Sequence, residues 1–210
     1  MNIYTKEKIL VDIEKYKEDL VNMKLEDVYT RYVLGGEVWY FKEKFGEQWF
    51  DKYNEFKIFI SKKLGVHYND IAIAGSAKTG FSLNPSKGYR AFGENSDIDI
   101  IIISQPLFYR FWNAYLKDSY SEVRVNKYLY VCQCIFRKFI TFDGFKKGNE
   151  EFSDWEKQTR GFEKDLQLCY GIAHDIHYRI YESWEAAQMY YISGMKKSLL
   201  ELEDRADENN

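Results

Sequence analysis

Residues 97–103, Asp97-Ile98-Asp99-Ile100-Ile101-Ile102-Ile103, constrain this chain more than any other stretch. The run from Ile98 to Ile103 is rich in β-branched residues, too short for an ordinary helix and flanked by polar and turn residues. It therefore reads as a buried strand. Residues two apart on a strand project from one face, so Asp97 and Asp99 point one way while Ile98 and Ile100 point the other. Two carboxylates held side by side repel each other unless a cation lies between them. Mg²⁺ suits that place, since it takes oxygen ligands and keeps positions open for water and phosphate.

A second segment supplies the counterpart. Asp70-Ile71-Ala72-Ile73-Ala74 alternates Ile with Ala and stops at Gly75, as a short, closely packed strand does. Gly75 lets the backbone turn sharply, and Ser76 offers a hydroxyl and an amide to a phosphate oxygen. A helical turn starting there adds its own free N–H groups to an anion site. Lys78 stands near enough in sequence to contribute a positive charge.

Gly75-Ser76 with Gly80, followed by Ser96-Asp97-Ile98-Asp99, resembles the signature of the DNA polymerase β-type nucleotidyltransferase superfamily. That superfamily includes minimal nucleotidyltransferases, aminoglycoside nucleotidyltransferases, tRNA CCA-adding enzymes and bacterial cyclic-oligonucleotide synthases. The resemblance implies that Asp97 and Asp99 are the catalytic, metal-binding carboxylates and that Gly75 and Ser76 contact a triphosphate. It also implies transfer of a nucleoside monophosphate with release of pyrophosphate, supported by Mg²⁺ or Mn²⁺. Ser96, which can orient its loop or cap a backbone amide, joins Gly75, Ser76 and Lys78 in the nucleotide-contacting set. The family's third carboxylate, on a later strand, has two candidates here, Asp143 and Asp175, and Asp175 is the one counted as a metal ligand. Compact members often belong to bacterial toxin–antitoxin or antiviral systems, which the resemblance extends to this chain as an expectation.

The segment from Phe81 to Asn95 carries Pro, Gly, Lys and Arg and reads as a loop. Its Lys87 and Arg90 can reach a phosphate, although solvated loop cations are the commoner outcome. Further on, Asp175 to Tyr181 alternates Ile176, Tyr178 and Ile180 with His177 and Arg179, giving a late strand. Paired beside the Asp97–Asp99 strand, it would bring Arg179 and His177 to the acids, so Arg179 is a candidate for substrate phosphate. His174 and His177 alone are weak evidence for a metal site, and a surface or structural role is expected of them.

The rest of the chain reads as helix around this centre. Ile9, Leu10, Ile13, Tyr16 and Leu20 follow helical spacing, and a second helical segment runs from Leu25 to Gly35-Gly36. Trp49, Tyr53, Phe56, Ile60 and Leu64 form an apolar stripe closed by Gly65. Leu107 to Lys117 reads as helix. Lys127 to Arg137 and Phe139 to Phe142 read as strand, with a helix over Tyr128 to Phe136 as the alternative. Ser153-Asp154-Trp155-Glu156 fits a capping box opening a helix that ends near Gly171, and Ser183 to Leu202 forms a terminal helix. The expected fold is α+β, a nucleotidyltransferase-like mixed sheet flanked by helices. Residues 1–66 form a helical N-terminal segment packed on the core, 67–202 the nucleotidyltransferase-like domain, and 203–210 a polar tail.

Composition narrows the partners. A net charge of −3 over 210 residues gives no global case for nucleic-acid binding, which would need a local basic patch. The longest apolar run is far too short to cross a membrane, and the N-terminus lacks a signal-peptide core, so no membrane partner and a cytoplasmic location are expected. Cys132, Cys134 and Cys169 form no Cys-x-x-Cys pair and read as free thiols, with Cys132 and Cys134 on one face of the expected strand. The leading expectation is a metal-dependent nucleotidyltransferase that binds an NTP and modifies an unidentified protein, tRNA or small-molecule acceptor. The alternative is a catalytically inactive protein of the same fold. It would act as a partner-binding or homo-oligomeric module through its N-terminal helices.

Overall fold

The computed structural model describes residues 3–208, with side chains from residue 12 to 204. Helices α1 (Ile3–Asn22) and α2 (Leu25–Tyr29), the latter running into a π-helical turn at Thr30–Leu34, precede α3 (Trp39–Phe45) and α4 (Trp49–Leu64). Strand β1 (Ile71–Ala74) leads into the one-turn α5 (Ser76–Thr79), and β2 (Ile98–Ile103) into α6 (Gln105–Tyr120) and α7 (Tyr128–Phe136). Then come the two-residue β3 (Phe139–Ile140), α8 (Glu150–Arg160), α9 (Glu163–Tyr170), β4 (Ile176–Tyr181) and α10 (Trp184–Glu208). The four strands form one mixed sheet in the order β1-β2-β4-β3. β1 is antiparallel to β2, β4 parallel to β2, and β3 antiparallel to β4.

The isoleucine run of β2 follows from its central position. Ile98, Ile100 and Ile102 pack into one apolar cluster and Ile101 into another, all fully buried. Such a strand, covered on both faces, reads as an unbroken apolar run rather than an alternating one. Beneath the first face lie α3, α4, α6, α8 and α9, through Phe41, Phe56, Phe111, Trp155 and Leu166. Against the second pack α1, α2 and α10, through Tyr16, Leu20, Val28, Ala187 and Met195. The N-terminal helices are thus shared between the two faces of the sheet.

Local signals place the elements. In α4, Tyr53, Phe56, Ile60 and Leu64 are buried, and Gly65 closes the helix in the left-handed region at φ +68°, donating its N–H to Ser61 O. Four expectations need correction. Residues 128–136 are helical rather than a strand, because Val131, Cys134 and Ile135 pack at helical spacing onto the core while β3 begins only at Phe139. That helix separates the two thiols, leaving Cys132 exposed and Cys134 buried. The helix expected from Ser153 starts earlier, at Glu150. There Asn149 Oδ1 accepts from the Phe152 amide, and two glutamates complement the first turn. Finally, α10 continues to Glu208, so most of the expected polar tail is helical. Among the described residues, no helix is long and apolar enough to cross a membrane.

Candidate functional site

The site forms where β1 ends and β2 begins. Ala74 stands opposite Asp99 in the antiparallel register, so the chain must turn away immediately beside that carboxylate. Gly75 makes the turn with φ +64° and ψ −153°, a conformation open only to glycine, and a Cβ there would collide with Asp99 Oδ2. α5 then starts at Ser76, whose carbonyl accepts from the Gly80 amide at 2.8 Å. Gly80, at φ +85°, closes this turn where a side chain would strike the Trp39 ring.

From the other flank, the parallel register of β2 and β4 sets His177 beside Asp99 and Arg179 beside Ile101. All four polar residues therefore share a face: Asp97, Asp99, His177 and Arg179. Arg179 Nε donates to Asp99 Oδ1 at 3.2 Å, and its Nη1 donates to the Tyr190 hydroxyl at 3.2 Å. Burial, the largest single influence, works against the guanidinium charge, but the Asp99 carboxylate together with Tyr191, Tyr190 and Tyr181 outweighs it, so the Arg179 pKa lies above its ordinary value. His177 Nδ1 lies 3.7 Å from Asp97 Oδ2. The gradient of exposure is clear. Asp97 and His177 have side chains about half open to solvent, whereas that of Asp99 is 21% exposed.

Other residues expected at the site take different positions. Ser96 is buried, with its Oγ accepting from the Gly93 amide at 3.0 Å and its carbonyl accepting from His174 Nδ1 at 2.9 Å. It fixes the loop that delivers Asp97. His174 is seated between Phe92 and Tyr40, with ring centroids 4.9 and 5.6 Å away, and is structural. Lys78 is buried and donates to the Gly35 carbonyl, its charged neighbours being Glu37 and Lys57 rather than the two aspartates. Burial pushes its pKa down to about 8. Lys87 and Arg90 lie exposed on a loop tied down by the Phe81–Ala91 bridge.

The two candidates for a third carboxylate lie in different places. Asp143 is exposed and ion-paired with Lys127 at 2.8 Å. Asp175 is exposed at the head of β4, where its carbonyl accepts from the Ile98 amide at 2.9 Å. Among the described residues, no group of three His, Cys, Asp or Glu converges to hold a metal ion. Position 177, beside Asp99 in the register, holds an imidazole instead. Sequence reasoning had placed His177 and Arg179 on one face but had no signal for Tyr190, which α10 brings across to Arg179.

Beyond Arg179 the outer edge of β4 opens into a groove of about 880 Å³, bounded by Thr141–Asp143 on one side and by α8 and α9 on the other. No protein-family model, curated protein or solved structure matches this chain.

Proposed function

We propose that this protein is a nucleotidyltransferase of the DNA polymerase β type, transferring a nucleoside monophosphate from an NTP to a hydroxyl acceptor. The observation that carries the reading is the meeting of Gly75 with Asp99: a glycine-only turn closes directly over a carboxylate that shares its strand face with Asp97. Such a turn packs the backbone against the carboxylate and sets the Ser76 end of α5 beside the acids, an approach that a side chain at position 75 would block.

Asp97 and Asp99 offer oxygen donors, and Mg²⁺ is usually held by one or two carboxylates with substrate phosphates completing its shell. The donor set fits that ion, with Mn²⁺ as its substitute, and Asp97 and Asp99 would hold it. When bound, Mg²⁺ neutralises triphosphate charge and stabilises departing pyrophosphate. The chain's own groups do the rest. Arg179, a planar donor already charged and anchored by Tyr190, turns from Asp99 to the phosphates. His177 takes the proton of the acceptor hydroxyl, and Asp97 beside it steadies the imidazolium. The acceptor oxygen bonds to the α-phosphorus as the bond from that phosphorus to pyrophosphate breaks. Positioning and charge neutralisation supply most of the rate in such transfers.

A second reading, a non-catalytic interaction module, is favoured by one observation: α7 leaves Leu129 76% and Phe136 89% exposed. The two readings separate in one assay. Protein incubated with each NTP labelled at the α-phosphate, Mg²⁺ and mixed acceptors should transfer label, and Asp97→Asn or Asp99→Asn should abolish it. Equal labelling by wild type and both variants would sink the catalytic reading.

A further inference from the structure

We infer that the acceptor is an extended polypeptide that adds a strand to the open edge of β4 and presents a hydroxyl side chain to Asp97 and Asp99. The inference rests on the nucleotidyl-transfer reading and names its substrate class.

The edge is open for a definable reason. β3 pairs only with Ile180 and Tyr181. Beyond Ile140 the chain is drawn off by Tyr115, whose hydroxyl donates to Thr141 O at 2.5 Å and accepts from the Gly144 amide at 3.2 Å. Among the described residues, the first four of β4 therefore have no strand paired on that side. Their polarity is fixed by the other side: Asp175 O accepts from the Ile98 amide, and Tyr181 O accepts from the Ser104 amide. Odd-numbered residues thus turn their main-chain groups to β2, and Ile176 and Tyr178 turn theirs into the groove. A row of free N–H and C=O groups at alternate positions is what strand addition uses.

Position and charge select the occupant. An added strand lies about 4.8 Å beyond β4. Its residue opposite His177 projects on the face shared by His177, Arg179 and Asp99, toward the acids. The groove carries three cations (Arg160, Lys164, Arg179) against four carboxylates (Asp143, Glu156, Glu163, Asp175). A nucleic acid needs a run of cations to replace its counterions, and this lining has none to spare. A polypeptide, bonded through its backbone, does not.

The test offers α-labelled NTP and Mg²⁺ with a pool of short peptides bearing Ser, Thr or Tyr, and in parallel with total tRNA and with small sugar alcohols. Label should appear on peptides. In Gln167→Trp and Thr141→Trp, which fill the groove from opposite walls, peptide labelling should fall about tenfold or more while NTP binding holds. Amide exchange gives a readout without chemistry: peptide at saturation should slow Ile176 and Tyr178 and leave His177 and Arg179 unchanged. Label on tRNA or sugars alone, undiminished peptide labelling in both variants, or no protection at Ile176 and Tyr178 would overturn the inference. Absence of both NTP binding and label would overturn the nucleotidyl-transfer reading itself, and the inference with it.

Discussion

Arg179 and Asp99 form a pair across two parallel strands, Nε to Oδ1 at 3.2 Å, with the guanidinium held from behind by Tyr190. The pair neutralises one of two acids that otherwise face each other across a single strand face. On the proposed reading it also sets a competition, because a metal ion would seek the carboxylate that Arg179 holds.

That competition gives the first prediction. Arg179→Gln should bind Mg²⁺ more tightly in the absence of nucleotide and bind NTP about tenfold more weakly. Loss of the charged hydrogen bond should also cost about 1–3 kcal/mol of stability. Metal titration and urea denaturation of the variant check the two halves separately.

Gly75→Ala should damage both the fold and the site. The added Cβ must displace the Asp99 carboxylate, and the backbone conformation is strained for any L side chain. A loss of about 1–3 kcal/mol is expected from the strain alone, with NTP affinity falling further than stability explains. Chemical denaturation beside nucleotide titration measures this.

Lys78 gives a pH signature. Its folded pKa is lowered to about 8, so from there up to the unfolded value of about 10.4 the unfolded chain binds more protons. Wild-type stability from this group therefore rises with pH across that window and is lost as pH falls through about 8. Lys78→Met should be more stable than wild type by about 1–3 kcal/mol at pH 7. The difference should shrink by pH 10 in parallel urea melts.

Tyr115→Phe removes both hydrogen bonds that peel the chain away after β3. It strands the buried Gly144 amide, which should cost about 1–3 kcal/mol. If the open edge of β4 depends on that bend, amide exchange at Ile176 and Tyr178 should also change in the variant.

Much of the centre was legible in the sequence because it is local. Five isoleucines in six residues admit one reading, and Gly75 marked the turn that its positive φ confirms. The stripe of α4 and its Gly65 cap were equally plain. The segment 128–136 misled because Tyr, Val, Cys and Ile favour strands, while its helical packing is decided by the tertiary slot beside β3. Lys78 misled for another reason. Proximity in sequence says nothing about direction, and one helical turn sends its ammonium to Gly35. His177 became meaningful only through the β2–β4 register, a non-local pairing that no single segment encodes.

The central claim, that Asp97 and Asp99 beneath the Gly75 turn form a metal-dependent nucleotide site, is tested most directly by calorimetric titration. Each NTP is titrated into wild type, Asp97→Asn and Asp99→Asn, with Mg²⁺ and with chelator. The account predicts binding of at least one NTP by wild type that requires Mg²⁺ and weakens about tenfold or more in both variants. Binding indifferent to metal and to both substitutions, or no binding by wild type, would contradict it.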